Sequence, residues 1–246
     1  MRQRSLPLPA LIAASLAASL ACTAPGGEPT PAPPPALEEP SVKPGVNENF
    51  LAEDLDVEEY IERFEGESRE VAVHKDGIVD RIGIAPGMAV ADIGAGTGLF
   101  TGLLAKEVGP EGRVFAVDIS PVFIDHLRER SLEEGWSGVD MVLCTEKSAE
   151  LAAGSIDLAF VCDTYHHFEY PRSTLASLFD ALKPGGALVV LDFERIPGVS
   201  REWLLGHVRA DKQTFTAEIT AAGFVLLEEI EVPGLDENYM LRFARP

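Results

Sequence analysis

Cysteine is scarce in this chain. Of 246 residues only Cys22, Cys144 and Cys162 carry a thiol, and the last two sit inside apolar runs, where a thiol behaves as a small hydrophobe. Nothing in their number or spacing demands a disulfide or a metal. Positive charge is scarce too: 20 Lys and Arg against 40 Asp and Glu leave a formal charge of −20. Such a surface is repelled by the phosphates that dominate nucleic-acid affinity, which sets nucleic acid aside as a partner. Internal repeats are lacking, which excludes solenoid architectures. Long apolar runs are lacking as well. LPLPALIAASLAASLA, starting at Leu6, falls short of the ~20 residues of a spanning helix and has two prolines in its first half.

What that run does fit is an export signal. MRQRS supplies a positive n-region and the apolar, small-residue run ends at Cys22. Residues 1–22 resemble a bacterial lipoprotein signal, in which the cysteine after a small residue is lipidated and becomes the first residue of the mature chain. Leu20 lies two positions before Cys22, and Ser19 stands where such signals most often have leucine. Plain secretion is the alternative. Residues 23–48 are dense in proline with small and acidic residues, which bury too little apolar surface to fold. They read as an extended tether from a membrane anchor at Cys22, with an extracytoplasmic address.

The remaining length, 49–246, is enough for one well-buried domain. Its first part is acidic: between Glu48 and Glu70, Glu53, Asp54, Asp56, Glu58, Glu59, Glu62, Glu65 and Glu67 outnumber Arg63 and Arg69. This reads as a solvated helix face. After a helical lead-in over 55–83, short apolar runs alternate with amphipathic stretches, the pattern of an α/β domain with a mostly parallel sheet. Strands are expected at 88–94, 113–119, 139–144, 156–163 and 187–193. Helices are expected at 99–108, 121–134 and 171–182, the last two opening on prolines that a first helical turn tolerates. A helix at 200–209, another at 214–223 and two closing apolar runs, FVLLEEIEV and NYMLRFAR, complete the chain.

The most informative stretch is VADIGAGTG, Val90 to Gly98. A strand running into alternate glycines and then a helix lets backbone N–H groups approach a ligand closely, because no Cβ intervenes. A dinucleotide fingerprint would place its last glycine at position 99, where this chain has Leu99. That speaks against a nicotinamide-dependent oxidoreductase. The pattern is instead Asp92-x-Gly94-x-Gly96-x-Gly98, and Asp118 closes the second strand.

This pattern resembles the first motif of the class I S-adenosylmethionine (SAM)-dependent methyltransferases. LKPGG (182–186), the loop CDTYHHFEYP after the fourth strand, and AGF before the closing strands extend the resemblance over nearly the whole folded region. It implies a Rossmann-like class I methyltransferase fold: a mostly parallel seven-stranded sheet with a C-terminal antiparallel strand and helices on both faces. It also implies SAM as cofactor, cradled by Asp92, Gly94, Ala95, Gly96, Thr97 and Gly98. Asp118, with Ile119 beside it, would hold the ribose hydroxyls, a task that suits an acceptor-only carboxylate. Where family members often carry an Asp after the third strand, this chain reads LCTEKSAEL, which leaves Glu146 or Ser148 for the adenine. The acceptor would be a small molecule or lipid-like. An exported domain and a cofactor made in the cytosol are in tension, and a tethered SAM- or nucleoside-binding module without turnover is the other reading.

Methyl transfer needs a base only where the nucleophile arrives protonated. Asp163 at the mouth of the fourth strand, followed by His166 and His167, supplies candidates for cofactor contact and proton transfer. The plainer alternatives are a capping role for Asp163 and a packing role for one of the imidazoles. Tyr165 and Phe168 read as pocket walls. Asp163, His166, His167 and Asp192 carry donors that suit divalent ions, but spacing does not bring Asp192 to the others, and no metal is expected. Arg69 would reach the cofactor carboxylate or pair with Glu65. HVRADK (207–212) would line the acceptor pocket or form a solvated helix end. Oligomeric state is not legible.

Overall fold

The computed structural model describes residues 38–66 and 69–246. The expected export signal, Cys22 and the expected tether up to residue 37 lie outside the described residues. Residues 38–48, expected to belong to the tether, pack on the domain instead. Glu39 accepts the backbone N–H groups of Arg172 and Ser173, each at 2.8 Å, at the start of a helix whose own N-cap, Tyr170, offers no side-chain acceptor. A carboxylate there satisfies otherwise orphaned donors and meets the positive end of the helix dipole. Val42 N–H donates to the Glu169 carbonyl at 3.0 Å, and Asn47 Nδ2 donates to the His167 carbonyl at 3.2 Å. A composition suited to a tether is thus overridden where one acid finds a helix end.

The lead-in folds as three short helices, α1 (Val57–Glu65), α2 (Glu70–Val73) and α3 (Lys75–Ile82). Asp56 caps α1 by accepting from Glu58 N and Glu59 N, and α1 buries no residue fully, as an acidic solvated face should. Next come β1 (Ala89–Ile93), α4 (Thr101–Val108), β2 (Arg113–Asp118), α5 (Pro121–Glu134), β3 (Val139–Leu143), β4 (Ile156–Cys162) and α6 (Pro171–Ala181). The chain closes with β5 (Leu182–Phe193), α7 (Glu202–His207), α8 (Lys212–Ala221), β6 (Val225–Glu229) and β7 (Asn238–Ala244).

The seven strands form one sheet in the order β3-β2-β1-β4-β5-β7-β6. β3, β2, β1, β4 and β5 are parallel, and β7 runs antiparallel to both β5 and β6. This is the expected sheet. Its central strands read as near-continuous apolar runs because both faces are covered. Ile78, Ile82, Leu104 and Val108 pack with Val90 and Val114 on one face; Leu175, Leu178, Phe215 and Ile219 pack with Ala91 and Val117 on the other.

One boundary differs instructively. LKPGG does not separate helix from strand; it lies within β5, which starts at Leu182. Leu182 pairs with Ile156, and the register then slips so that Leu158 pairs with Ala187. The glycines serve a bulge within one strand.

The strand order reverses between β1 and β4, the point at which the carboxyl ends of an open α/β sheet part to form a crevice. Ile93 pairs with both Val117 and Val161. The residues that follow these three strands therefore share one rim.

Candidate active site

Gly94, Gly96 and Gly98 all adopt positive φ, at 73°, 55° and 95°. Gly94 N–H and Ala95 N–H both donate to the Val117 carbonyl, at 2.8 and 3.0 Å, pinning the loop to the end of β2. A Cβ on Gly94 would stand 2.4 Å from the Thr164 side chain. Glycine is required there by close approach as well as by φ.

Asp118 faces this loop. Its Oδ2 accepts Gly96 N–H at 2.8 Å, and its Oδ1 accepts Ser120 N–H at 2.8 Å. Burial pushes its pKa up to about 6, against the pull of the N–H groups of Ser120, Gly96 and Ile119. Asp92, likewise buried, accepts from Thr101 Oγ1 at 2.7 Å. Burial, with a smaller contribution from Asp118, raises it to about 7.

A cavity of about 360 Å³ opens over this rim. Asp92, Gly94, Ala95, Gly96, Thr97, Asp118, Ile119, Glu146, Ser148, Asp163, His166 and His167 all line it. Gly98 does not. A Cβ on Gly98 would lie 2.9 Å from both Leu127 and Trp136, so this glycine serves the packing of the loop on α5. The Thr97 side chain turns away as well, its Oγ1 donating to Glu65 at 2.7 Å. Arg130 completes that latch, bonding Glu65 and the Thr97 carbonyl. Phe64 is thereby held over the cavity, 3.4 Å from where a Cβ on Gly96 would sit.

Asp163 has a left-handed φ of 46°, strained for a non-glycine residue. Its two oxygens are engaged: Oδ2 by the Arg69 guanidinium and Oδ1 by Asn238 Nδ2 at 2.6 Å. Burial pushes the Asp163 carboxyl up while Arg69 pulls against it. Arg69 thus pairs with Asp163, and Glu65 with Arg130 instead. Bonds on both oxygens give Asp163 a part in positioning the loop, and it lines the cavity beside the histidines.

The histidines form a cluster at the other end of the cavity. His166 is buried, its Nδ1 2.8 Å from Asp192 Oδ1 and its backbone N–H 3.1 Å from Asp192 Oδ2. Its Nε2 lies 3.1 Å from Nε2 of His207, a ring that stacks on Trp203 with centroids 4.8 Å apart. A carboxylate on Nδ1 fixes the tautomer and leaves Nε2 bare. Burial, joined by the charge of neighbouring histidines, lowers His167 to about 2. Burial, then His166 and Lys43, lowers His207 to about 4. Both rings are neutral at pH 7, and a ring that holds a proton only near pH 2 makes His167 a poor base.

Tyr165 is no pocket wall. It is fully buried in the core, its hydroxyl 3.0 Å from Glu218. Of HVRADK, His207 reaches the cavity, whereas Arg209 pairs with Glu218 and Lys212 with Glu194 and Glu229. Sequence reasoning missed Asn238 as a site residue, placed His207 at the pocket only as part of HVRADK, and left Asp192 uncollected. Asp192 follows the strand-rim rule; nothing local in HVRADK singles out His207 as a partner of His166.

Sheet order, glycine loop and rim acid together define the Rossmann-like class I methyltransferase fold. Residues 91–190 match the family model described as a methyltransferase domain. Over 119 residues the chain is 32% identical to the ubiquinone/menaquinone biosynthesis C-methyltransferase UbiE of Hydrogenovibrio crunogenus, covering 48% of this chain and 47% of that one. It is 34% identical over 117 residues to an uncharacterized protein in a Streptomyces fradiae transposon, covering 48% of this chain and 33% of that one. The chain thus spans a third to about half the length of these curated relatives. The crystal structure of a SAM-dependent methyltransferase from Aquifex aeolicus superposes with a TM-score of 0.69 at 22% identity, covering 78% of this chain and 99% of that one.

Proposed function

We propose that this chain is a SAM-dependent methyltransferase acting on a small-molecule or lipid-like acceptor. The observation that carries the reading is the meeting of Gly96 N–H and the buried Asp118 carboxylate on the rim of one cavity. The donor set fits the cofactor. Asp118 keeps lone pairs free for vicinal hydroxyls, Glu146 and Ser148 line the cavity after β3, and loop glycines leave the backbone open to close approach. When bound, SAM supplies an electrophilic methyl group. The protein's share is to align the acceptor and exclude water, which is the proximity contribution. Phe50, Phe64, Phe123, Phe168, Phe193 and Trp203 line the cavity, which supports an apolar or aromatic acceptor. UbiE, by its name, acts in quinone biosynthesis, in keeping with such chemistry. Ionising a protonic acceptor falls to the histidine end.

The chain is further proposed to be an extracytoplasmic lipoprotein, anchored through Cys22 and tethered by the proline-rich segment that follows. Palmitate labelling of the wild type and its loss in Cys22→Ala is expected; label retained in the variant overturns the anchor. For the activity, purified protein is incubated with SAM and release of S-adenosylhomocysteine is followed with and without cell extract. Extract-dependent release supports the reading. SAM binding without release under any acceptor supply makes the chain a tethered binding module instead.

A further inference from the structure

Three imidazoles converge at the acceptor end of the cavity. His166 comes from the turn after β4, His167 from the next position and His207 from the last turn of α7. Each offers one ring nitrogen, and these nitrogens lie within 4.8 Å of one another. We propose that His166, His167 and His207 form a site for a divalent cation of the zinc type, with three nitrogen ligands and a fourth position open to the cavity.

The arrangement matches what such a cation requires. Catalytic zinc sites take three protein ligands and leave one position for water or substrate. The carboxylate of Asp192 on Nδ1 of His166 is the outer support that fixes a ligating imidazole and raises its basicity. The Nε2 atoms of His166 and His207 are 3.1 Å apart, close to the roughly 3.3 Å edge of a tetrahedron with Zn–N bonds of about 2.0–2.1 Å. A simple N–H···N bond would also satisfy that pair. Among the described residues it leaves Nδ1 of His167 buried with no hydrogen-bond partner, and buried polar atoms of native proteins rarely go unmatched. A cation accounts for the convergence of one ring nitrogen from each of the three histidines. His207 ends a six-residue helix and is half-buried, so its ring has room for the adjustment that closes the longer separations. Lys43 and Arg63 oppose a cation here; the Asp192 carboxylate and an anionic fourth ligand offset them. A thiol or hydroxyl acceptor entering that position binds as its anion and releases its proton to solvent. That last step rests on the methyl-transfer reading, whereas the site itself does not.

The test uses the full-length, tag-free chain stripped with chelator and titrated calorimetrically with Zn²⁺, with Co²⁺ as a spectroscopic probe. One equivalent of Zn²⁺ and the visible absorption of tetrahedral cobalt are expected. His207→Ala and His167→Gln should each weaken uptake at least tenfold, with circular dichroism melting used to confirm that both variants fold. No stoichiometric uptake overturns the site. Equal uptake by wild type and both folded variants also overturns it, assigning the metal to the acidic surface. SAM calorimetry on the same metal-free samples tests the cofactor reading separately.

Discussion

Gly96 gives its backbone N–H to Oδ2 of Asp118 at 2.8 Å, across 22 residues of sequence. The bond joins the β1 loop to the end of β2 and holds a buried carboxylate at the cavity wall. Replacing the acid by alanine removes a charged acceptor and leaves the Gly96 donor unmatched. Asp118→Ala should weaken SAM binding by about 1.5–3 kcal/mol, roughly tenfold to a hundredfold or more in Kd. Isothermal calorimetry measures it, and an unchanged Kd contradicts the ribose assignment.

Asp92 yields a pH prediction. Its pKa rises from 3.8 to about 7 because burial disfavours the charged form. A raised carboxyl pKa means that the folded state binds the proton more tightly. The resulting stability is fully present below about pH 4 and is lost as pH rises through 7. His167 and His207 act oppositely: their lowered pKa values cost stability as pH falls below 6.5. A comparison of wild type with Asp92→Asn isolates the acid. Relative to the variant, the wild type should lose on the order of 1 kcal/mol per pH unit between pH 5 and 7. Urea midpoints at pH 5, 6, 7 and 8 read this directly, and parallel curves would remove Asp92 as the source.

The latch on α1 is testable by exchange. Glu65 accepts from Thr97 Oγ1 and pairs with Arg130, with about a fifth of each side chain exposed. Partly desolvated, charge-assisted bonds of this kind contribute about 1–2 kcal/mol. Glu65→Ala should lower stability by that amount and speed amide exchange over Val57–Glu65, leaving β1 and β4 protected. Exchange that stays slow in α1 would show that the aromatic contacts of Tyr60 and Phe64 with Phe123 hold the helix without the ion pair.

What the sequence made legible was local. The run from Val90 to Gly98 and Asp118 could be placed because strand, loop and helix follow one another along the chain, and the parallel sheet then dictates that their ends meet. The partners of Asp163 lie 94 and 75 residues away in Arg69 and Asn238, and Asp192 meets His166 across 26. Such pairings depend on which loops share a rim, and no periodicity encodes them. Gly98 shows the converse: the motif named it a ligand contact, but its lack of a side chain is required by Leu127 and Trp136. Residues 38–48 look like a linker by composition because the acceptor that anchors them, Glu39, gains its meaning only beside α6.

The Arg69–Asp163 pair supplies the strongest stability prediction. Asp163 is almost completely buried and Arg69 about a quarter exposed, so removal of the guanidinium leaves a desolvated carboxylate with Asn238 as its side-chain donor among the described residues. Breaking a buried pair from one side costs about 3–5 kcal/mol because the remaining charge is uncompensated. Arg69→Gln should therefore fall in or just below that range, given the residual exposure of Arg69. Asp163→Asn in the same chain removes the stranded charge, and the double variant should recover a large part of the loss, giving a coupling energy of about 1–3 kcal/mol. Denaturant unfolding of wild type, both single variants and the double variant closes the cycle. Additive losses would show that the two side chains do not act as a unit, and the Asp163 loop would then owe its strained backbone to packing alone.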